Sequence, residues 1–407
     1  MKRADLLLAL SSCVVGLLAV ELLLTRFANP NSRPAFHFAG LHYDSRDWLN
    51  ALYDLRAAGV PAYPITSAQV YGQFLTGRND ETTLQPLAGL SRTSTTFCNE
   101  LSNFIVFQSD RYGFRNDDRL WDDKPAFMLI GDSFAQGACV PDGATIAEQL
   151  TSAGVPTISV AYNSNGPLAE LASLVEYGPL IKPKTVIWLY TEGNDPTDLG
   201  RELEFAGLRK YMEPEFRQNL AQRQPEIDRL IRAALNAHPV LQKIDAAVSE
   251  RWALSVILSL RNTRALIAEA ANAAREQAVP VARELDEAVV TPPNDQRYSD
   301  LEIVLTRAKE VVSTWGGQLV FVYLPATERI RFPALPEVLA LRNVQAEVTK
   351  IATSLDIPVI DLNRAFGPIN TPARLFPKAN WPVHLTEEGY RIVSMHLASR
   401  LREVLDR

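Results

Sequence analysis

The sequence predicts an α/β fold, a doubly wound parallel sheet with helices on both faces. Three observations carry this expectation: short apolar runs that stop at glycine or polar turn residues, helical stretches between them, and resumption of the same alternation after a long interruption.

The elements follow in chain order. Met1-Lys2-Arg3 precedes an apolar run from Leu6 to Leu24, broken only by Ser11, Ser12 and Glu21. At 1.5 Å per residue this run reaches about 28 Å, close to a bilayer core and longer than the apolar region of a cleavable signal. Residues 1–28 are therefore expected to be an N-terminal transmembrane anchor, with Lys2 and Arg3 left in the cytoplasm. That orientation predicts a single-pass inner-membrane protein whose remainder is periplasmic or otherwise extracytoplasmic. Leu10-Ser11-Ser12-Cys13 superficially matches a lipoprotein cleavage box, but apolar sequence continues past Cys13.

Residues 29–120 read as a linker and N-terminal extension, with a helix from Tyr43 to Gly59 and an irregular stretch from 60 to 120 that contains Asp110-Arg111-Tyr112-Gly113-Phe114-Arg115-Asn116. From residue 121 to 407 the main domain shows strands at Ala126 to Ile130, Pro156 to Tyr162, Thr185 to Tyr190, Gln318 to Tyr323 and Ile357 to Asp361. Helices are expected at Ala144 to Ala153, near Asp300 to Thr314, near Leu341 to Leu355 and after Thr386. Between about 200 and 294 the rhythm breaks into an Ala-, Leu-, Arg- and Glu-rich helical insertion, a lid or a partner interface by its size.

Composition excludes some classes. A net charge of −6 and no Lys/Arg block argue against a nucleic-acid partner, which needs a basic face to neutralise phosphates. No His-x-x-x-His or Cys-x-x-Cys pair suggests a metal, and no phosphate-binding loop suggests a nucleotide, so no cofactor is expected. Outside the anchor stand Cys98 and Cys139, which an oxidising compartment permits to pair; two buried thiols is the other reading.

The chemistry concentrates at strand ends. In Phe127-Met128-Leu129-Ile130-Gly131-Asp132-Ser133-Phe134 an apolar strand enters a glycine turn and delivers a serine where a helix begins. There the hydroxyl projects above the sheet edge, and the serine's own N–H joins the positive end of the helix, able to donate to an oxyanion. The bland reading of Gly-Asp-Ser is a helix cap. The next strands end in Asn163-Ser164-Asn165-Gly166 and Glu192-Gly193-Asn194-Asp195, which are donors for an oxyanion or ordinary turns. Near the C-terminus Trp381-Pro382-Val383-His384-Leu385-Thr386 presents a histidine just before a helix, the strongest candidate for a base among five histidines.

In that order, Gly131-Asp132-Ser133, Gly166, Asn194-Asp195 and His384 resemble the four blocks of the SGNH (GDSL-like) hydrolases, over roughly residues 121 to 400 without the insertion. The resemblance implies a flavodoxin-like parallel sheet, Ser133 as nucleophile, His384 as base, and Ser133, Gly166 and Asn194 as the oxyanion hole. Asp132, Asp195 and Trp381 become substrate-site candidates. With the Tyr-Gly-Phe-Arg turn and the anchor, the chain also looks like bacterial members associated with cell-surface polysaccharides. The implied activity is a serine esterase or O-acyltransferase working on an acylated glycan or other ester through an acyl-enzyme.

Two positions depart from the pattern. Glu192 replaces the usual glycine of the third block. Trp381 stands three residues before His384, where the family has an aspartate, and no carboxylate lies between Asp361 and Glu387. Three outcomes follow: a main-chain carbonyl near Asn380 orients His384, a carboxylate from elsewhere does so, or catalysis is lost. The last would leave a non-catalytic glycan-binding or assembly component of an envelope complex, with Trp381 stacking on a sugar or merely filling space.

Overall fold

The computed structural model describes residues 3–27, 48–67, 77–100, 104–249, 260, 263, 295–331, 336–366, 375–376 and 384–405. Helices α1 (Arg3–Phe27) and α2 (Trp48–Ala57) lead to three short strands, β1 (Ala62–Pro64), β2 (Ser94–Thr96) and β3 (Val106–Gln108). The alternation then runs β4 (Phe127–Ile130), α3 (Ser133–Gln136), α4 (Ile146–Ser152), β5 (Thr157–Ser159), α5 (Pro167–Ile181), β6 (Thr185–Thr191) and α6 (Asp195–Glu202). After α7 (Gln224–Ala237) and α8 (Pro239–Ser249) come α9 (Asp295–Ser313), β7 (Gln318–Leu324), α10 (Pro336–Ser354), β8 (Val359–Asp361) and α11 (Glu387–Leu405).

The five later strands form one parallel sheet in the order β5-β4-β6-β7-β8. By chain position that order is second, first, third, fourth, fifth, as in a flavodoxin-like sheet. Strand periodicity decides its two faces. Met128, Ile130, Val186, Trp188, Tyr190, Phe321 and Tyr323 point to one side, where Leu171 and Leu174 of α5, Leu305 of α9 and Val344 of α10 cover them. Leu129, Ile187, Leu189, Val320 and Val322 point to the other, against Ile146 and Leu150 of α4 and Val393 and Leu397 of α11. Being buried on both faces, the strands read as continuous apolar runs, which is why they were visible in the sequence.

Residues 60 to 120 are less irregular than expected. β1 pairs parallel with β2, and β2 antiparallel with β3. Leu84, Leu87, Leu90 and Phe114 enter the same core as β4 and α5, so the extension is packed onto the main domain. Asn116 completes the junction: its Nδ2 donates to Ser159 O at 2.7 Å and its Oδ1 accepts from Ser159 N at 2.9 Å, extending the edge strand β5 with a side-chain amide. The insertion is likewise joined at its start, with Ile227 and Ile231 in that core and Leu241 and Ile244 against Leu52 and Leu55 of α2. Most of residues 250–294 lie outside the described residues.

The expected membrane span is not supported. A helix does form at Arg3–Phe27, but among the described residues no helix is long and apolar enough to cross a membrane. Glu21 is buried on α1 and accepts from the N–H and the hydroxyl of Thr263 at 2.7 and 2.8 Å, so this side of the helix meets protein.

Candidate active site

β4 ends in a turn that only glycine fits. Gly131 has φ +152°, and a Cβ there would stand 2.6 Å from Ala135 Cβ and 3.0 Å from Leu189 O. The chain reverses into α3, whose N-cap Asp132 accepts from Phe134 N at 2.8 Å. Ser133 is thereby the first residue of a helix, and its N–H has no intrahelical acceptor.

At the far end of the chain, Thr386 caps α11, its hydroxyl accepting from Gly389 N at 3.2 Å, and its N–H donates to Leu375 O at 2.8 Å. These contacts hold His384 over the elbow. Its Nε2 lies 2.8 Å from Ser133 Oγ, and the Phe134 ring packs 4.8 Å from the imidazole centre. Ser133 and His384, 251 residues apart, are in hydrogen-bond contact.

The residue on the other side of the imidazole is Glu100. Its Oε1 is 2.8 Å from His384 Nδ1, and its Oε2 accepts the His384 backbone N–H at 3.0 Å. An ionised carboxylate only accepts, so this contact places the ring proton on Nδ1 and leaves Nε2 to take the serine proton. Of the three outcomes left open by the missing aspartate, the structure shows a carboxylate from elsewhere in the chain. Trp381 and Asn380 lie outside the described residues.

Glu100 sits beyond the last ladder bonds of the β2–β3 hairpin, Phe97 N to Ile105 O and Ile105 N to Cys98 O, both 2.8 Å. Cys98 is bonded to Cys139, which deletes the two-thiol reading. Here the sequence held an unused signal. Cys139 follows Ser133 by six residues and Cys98 precedes Glu100 by two, so a bond between the cysteines brings a carboxylate near Ser133.

Ser133, Asn194 and His384 line a cavity of about 410 Å³ whose walls are completed by Ser67, Asn163, Ser164, Asp198 and Arg201. Each of these lining residues carries a polar or charged side chain, though their carbon atoms also face the cavity. Asn194 is present as expected, but its Nδ2 donates to Asp132 Oδ2 at 2.9 Å and Asp198 Oδ2 at 3.2 Å. Burial pushes Asp198 up to about 6 and raises Asp132 above the ordinary carboxylate range, the Asn194 amide opposing both shifts.

Three expectations need correction. Gly166 is absent from the lining: its N–H donates to Glu202 Oε1 at 2.6 Å, and its missing side chain admits Asp198, whose Cβ would stand 2.6 Å from an added Cβ. From that strand end the pocket takes Asn163 and Ser164 instead, the latter at φ +64°. Asp132 and Asp195 are fully buried and face backbone N–H groups, Phe134 and Thr191 respectively, so neither is placed to meet substrate. Glu192, the other departure, is structural: buried, it accepts from Ala326 N at 2.8 Å and pairs with Arg329 at 2.6 Å, fixing the turn after β7.

No protein-family model matches the chain, and none of the curated proteins matches it. Solved structures do. Its structural neighbours are GDSL-like lipases and acylhydrolases. A GDSL-like lipase from Bacteroides thetaiotaomicron is 9% identical, with TM-score 0.35, covering 70% of this chain and 90% of that one. A lipase/acylhydrolase from Enterococcus faecalis is 10% identical, with TM-score 0.36 and coverages of 68% and 95%. The acetylxylan esterase Axe2 from Geobacillus stearothermophilus is 12% identical, with TM-score 0.35 and coverages of 68% and 93%.

Proposed function

We propose that the chain is a serine esterase or O-acyltransferase acting on acyl esters, with the triad Ser133, His384 and Glu100. The observation that carries this reading is the continuous line of contacts Ser133 Oγ to His384 Nε2 and His384 Nδ1 to Glu100 Oε1, each 2.8 Å. In the reaction, Nε2 takes the hydroxyl proton as Oγ attacks the ester carbonyl, and the charge forming on the ring is opposed by Glu100. The oxyanion is met by the Ser133 N–H and by the Asn194 amide, which exchanges one of its bonds to Asp132 or Asp198 to do so. Collapse expels the alcohol, protonated by Nε2–H, and leaves an acyl-enzyme that water or a sugar hydroxyl resolves.

The mixed lining, polar side chains with exposed carbon between them, suits a short acyl group on a polyhydroxy scaffold, and an acylated cell-surface polysaccharide is the proposed substrate. An extracytoplasmic site of action is supported by the Cys98–Cys139 bond, because such bonds persist in oxidising compartments. The glycan-binding alternative drew on the missing acid and on Trp381, which lies outside the described residues; the Glu100–His384 contact favours the catalytic reading.

The test is labelling with a fluorophosphonate probe. Wild type is expected to label, and Ser133→Ala and His384→Ala are not; a well-folded wild type that does not label would sink the reading.

A further inference from the structure

Cys98 and Cys139 covalently join the hairpin that carries Glu100 to the loop that follows the Ser133 helix. The Cys139 side is rigid. It follows the nucleophile helix directly, with Ala138 N donating to Ser133 O at 2.9 Å, and Cys139 is fully buried with Sγ 4.0 Å from His384 Nδ1. Arg115 clamps both flanks, donating to Gly137 O at 2.7 Å and Val140 O at 2.9 Å. By contrast, the Cys98 side is a hairpin tip. The ladder ends at Ile105 N to Cys98 O, and both hydrogen bonds described for Glu100, two residues further on, go to His384.

We propose that the Cys98–Cys139 bond is a positioning cross-link for the catalytic acid, holding the Glu100 turn against His384 so that turnover depends on it. The proposal rests on the serine-hydrolase reading of the site. A displacement of about 1 Å in a catalytic group costs on the order of a hundred-fold in rate, so a small shift of the Glu100 turn on release of its tether is enough to be read in turnover. The fold itself has separate support. Phe97, Ile105 and Phe107 of the hairpin pack on Ala138 in one apolar cluster, which remains when the sulfurs separate. Loss of the bond therefore loosens the acid before it loosens the domain. A chain in a reducing compartment would carry an unplaced acid until it reached an oxidising one.

The experiment compares wild type, a Cys98→Ala/Cys139→Ala variant, Glu100→Gln, and the triple variant, measuring kcat and KM on an activated acetyl ester together with the thermal midpoint. In parallel, wild type is treated with dithiothreitol, which gives two electrons to the S–S bond, yields two thiols and becomes a cyclic disulfide; the rate of fluorophosphonate labelling is followed. Removing the bond is expected to lower kcat about ten- to a hundred-fold with KM nearly unchanged, and to slow labelling similarly. In the Glu100→Gln background the same change is expected to cost less than about two-fold, because the acid it positions is already gone. Unchanged kcat without the bond would overturn the proposal, as would an equal loss in the Glu100→Gln background, which would mark the bond as purely structural. Should the double variant fail to fold, the dithiothreitol arm decides in wild type and Glu100→Gln. Oxidised wild type that never labels would instead defeat the serine-hydrolase reading and this proposal with it.

Discussion

Glu100 holds His384 by two points, its Oε1 2.8 Å from the ring Nδ1 and its Oε2 3.0 Å from the backbone N–H of the same residue. A carboxylate gripping both ring and main chain fixes the position of the imidazole and its tautomer together, which one contact alone does not achieve. Every step proposed for Ser133 depends on that grip.

Glu100→Gln keeps the size and most of the packing but offers an amide to Nδ1, favouring the wrong tautomer. A loss of about 10³ to 10⁴ in kcat is expected, as for other triads deprived of their acid. The thermal midpoint should move little, since the Glu100 side chain is at the edge of the site. Full turnover in this variant would show that His384 is oriented by another group.

Arg115 gives a stability prediction. Its buried guanidinium serves Gly137 O and Val140 O in addition to Asp142, and Arg115→Met leaves two carbonyls without that donor. The expected loss is about 2–4 kcal/mol in denaturant unfolding, from unmet buried acceptors. Arg115→Lys should recover part of it by supplying one carbonyl. A methionine variant as stable as wild type would show that the loop holds itself.

Glu202 governs part of the pH dependence of stability. Burial pushes it up to about 8 from an ordinary 4.5, while the N–H groups of Gly166, Leu168 and Ala169 pull the other way. A carboxyl raised in the folded state contributes fully below about 4.5, and that contribution is lost as pH rises toward 8. Denaturation midpoints should fall between pH 5 and pH 8, and Glu202→Gln should fall less. An identical slope in both proteins would assign the effect to other buried acids.

Gly166→Ala tests the corrected role of this glycine. Its backbone is extended, so the substitution carries no φ penalty, but the new Cβ would stand 2.6 Å from Asp198 Cβ and 3.0 Å from Glu202 Oε2. A destabilisation of about 1–3 kcal/mol is expected from overpacking. Because Asp198 also accepts from Asn194, activity should fall as well. A silent substitution would mean that α6 yields without cost.

Much of the fold was legible because its signals are local. Strands buried on both faces must be apolar throughout, and each announced itself as a run ended by glycine or a turn. Strands β1 to β3 gave no such signal: at three residues each, with polar Ser94 and Gln108 paired across β2 and β3, they have neither length nor alternation. The lining of the cavity was only partly legible. Asn194 reached the pocket, but Gly166 did not, because a glycine beside a helix start serves close packing as readily as donation.

The sequence by itself determined the parallel sheet, the elbow that presents Ser133 and the loop that presents His384, since each follows from residues within a few positions of one another. Only the tertiary structure decided which carboxylate contacts His384. Glu100 lies 284 residues from His384, on a hairpin tip with no motif of its own, and it is brought there by a disulfide and an apolar contact. Spacing along a chain encodes groups that share a turn or a helix; it does not encode which distant loop a cross-link and a packed surface will place beside them.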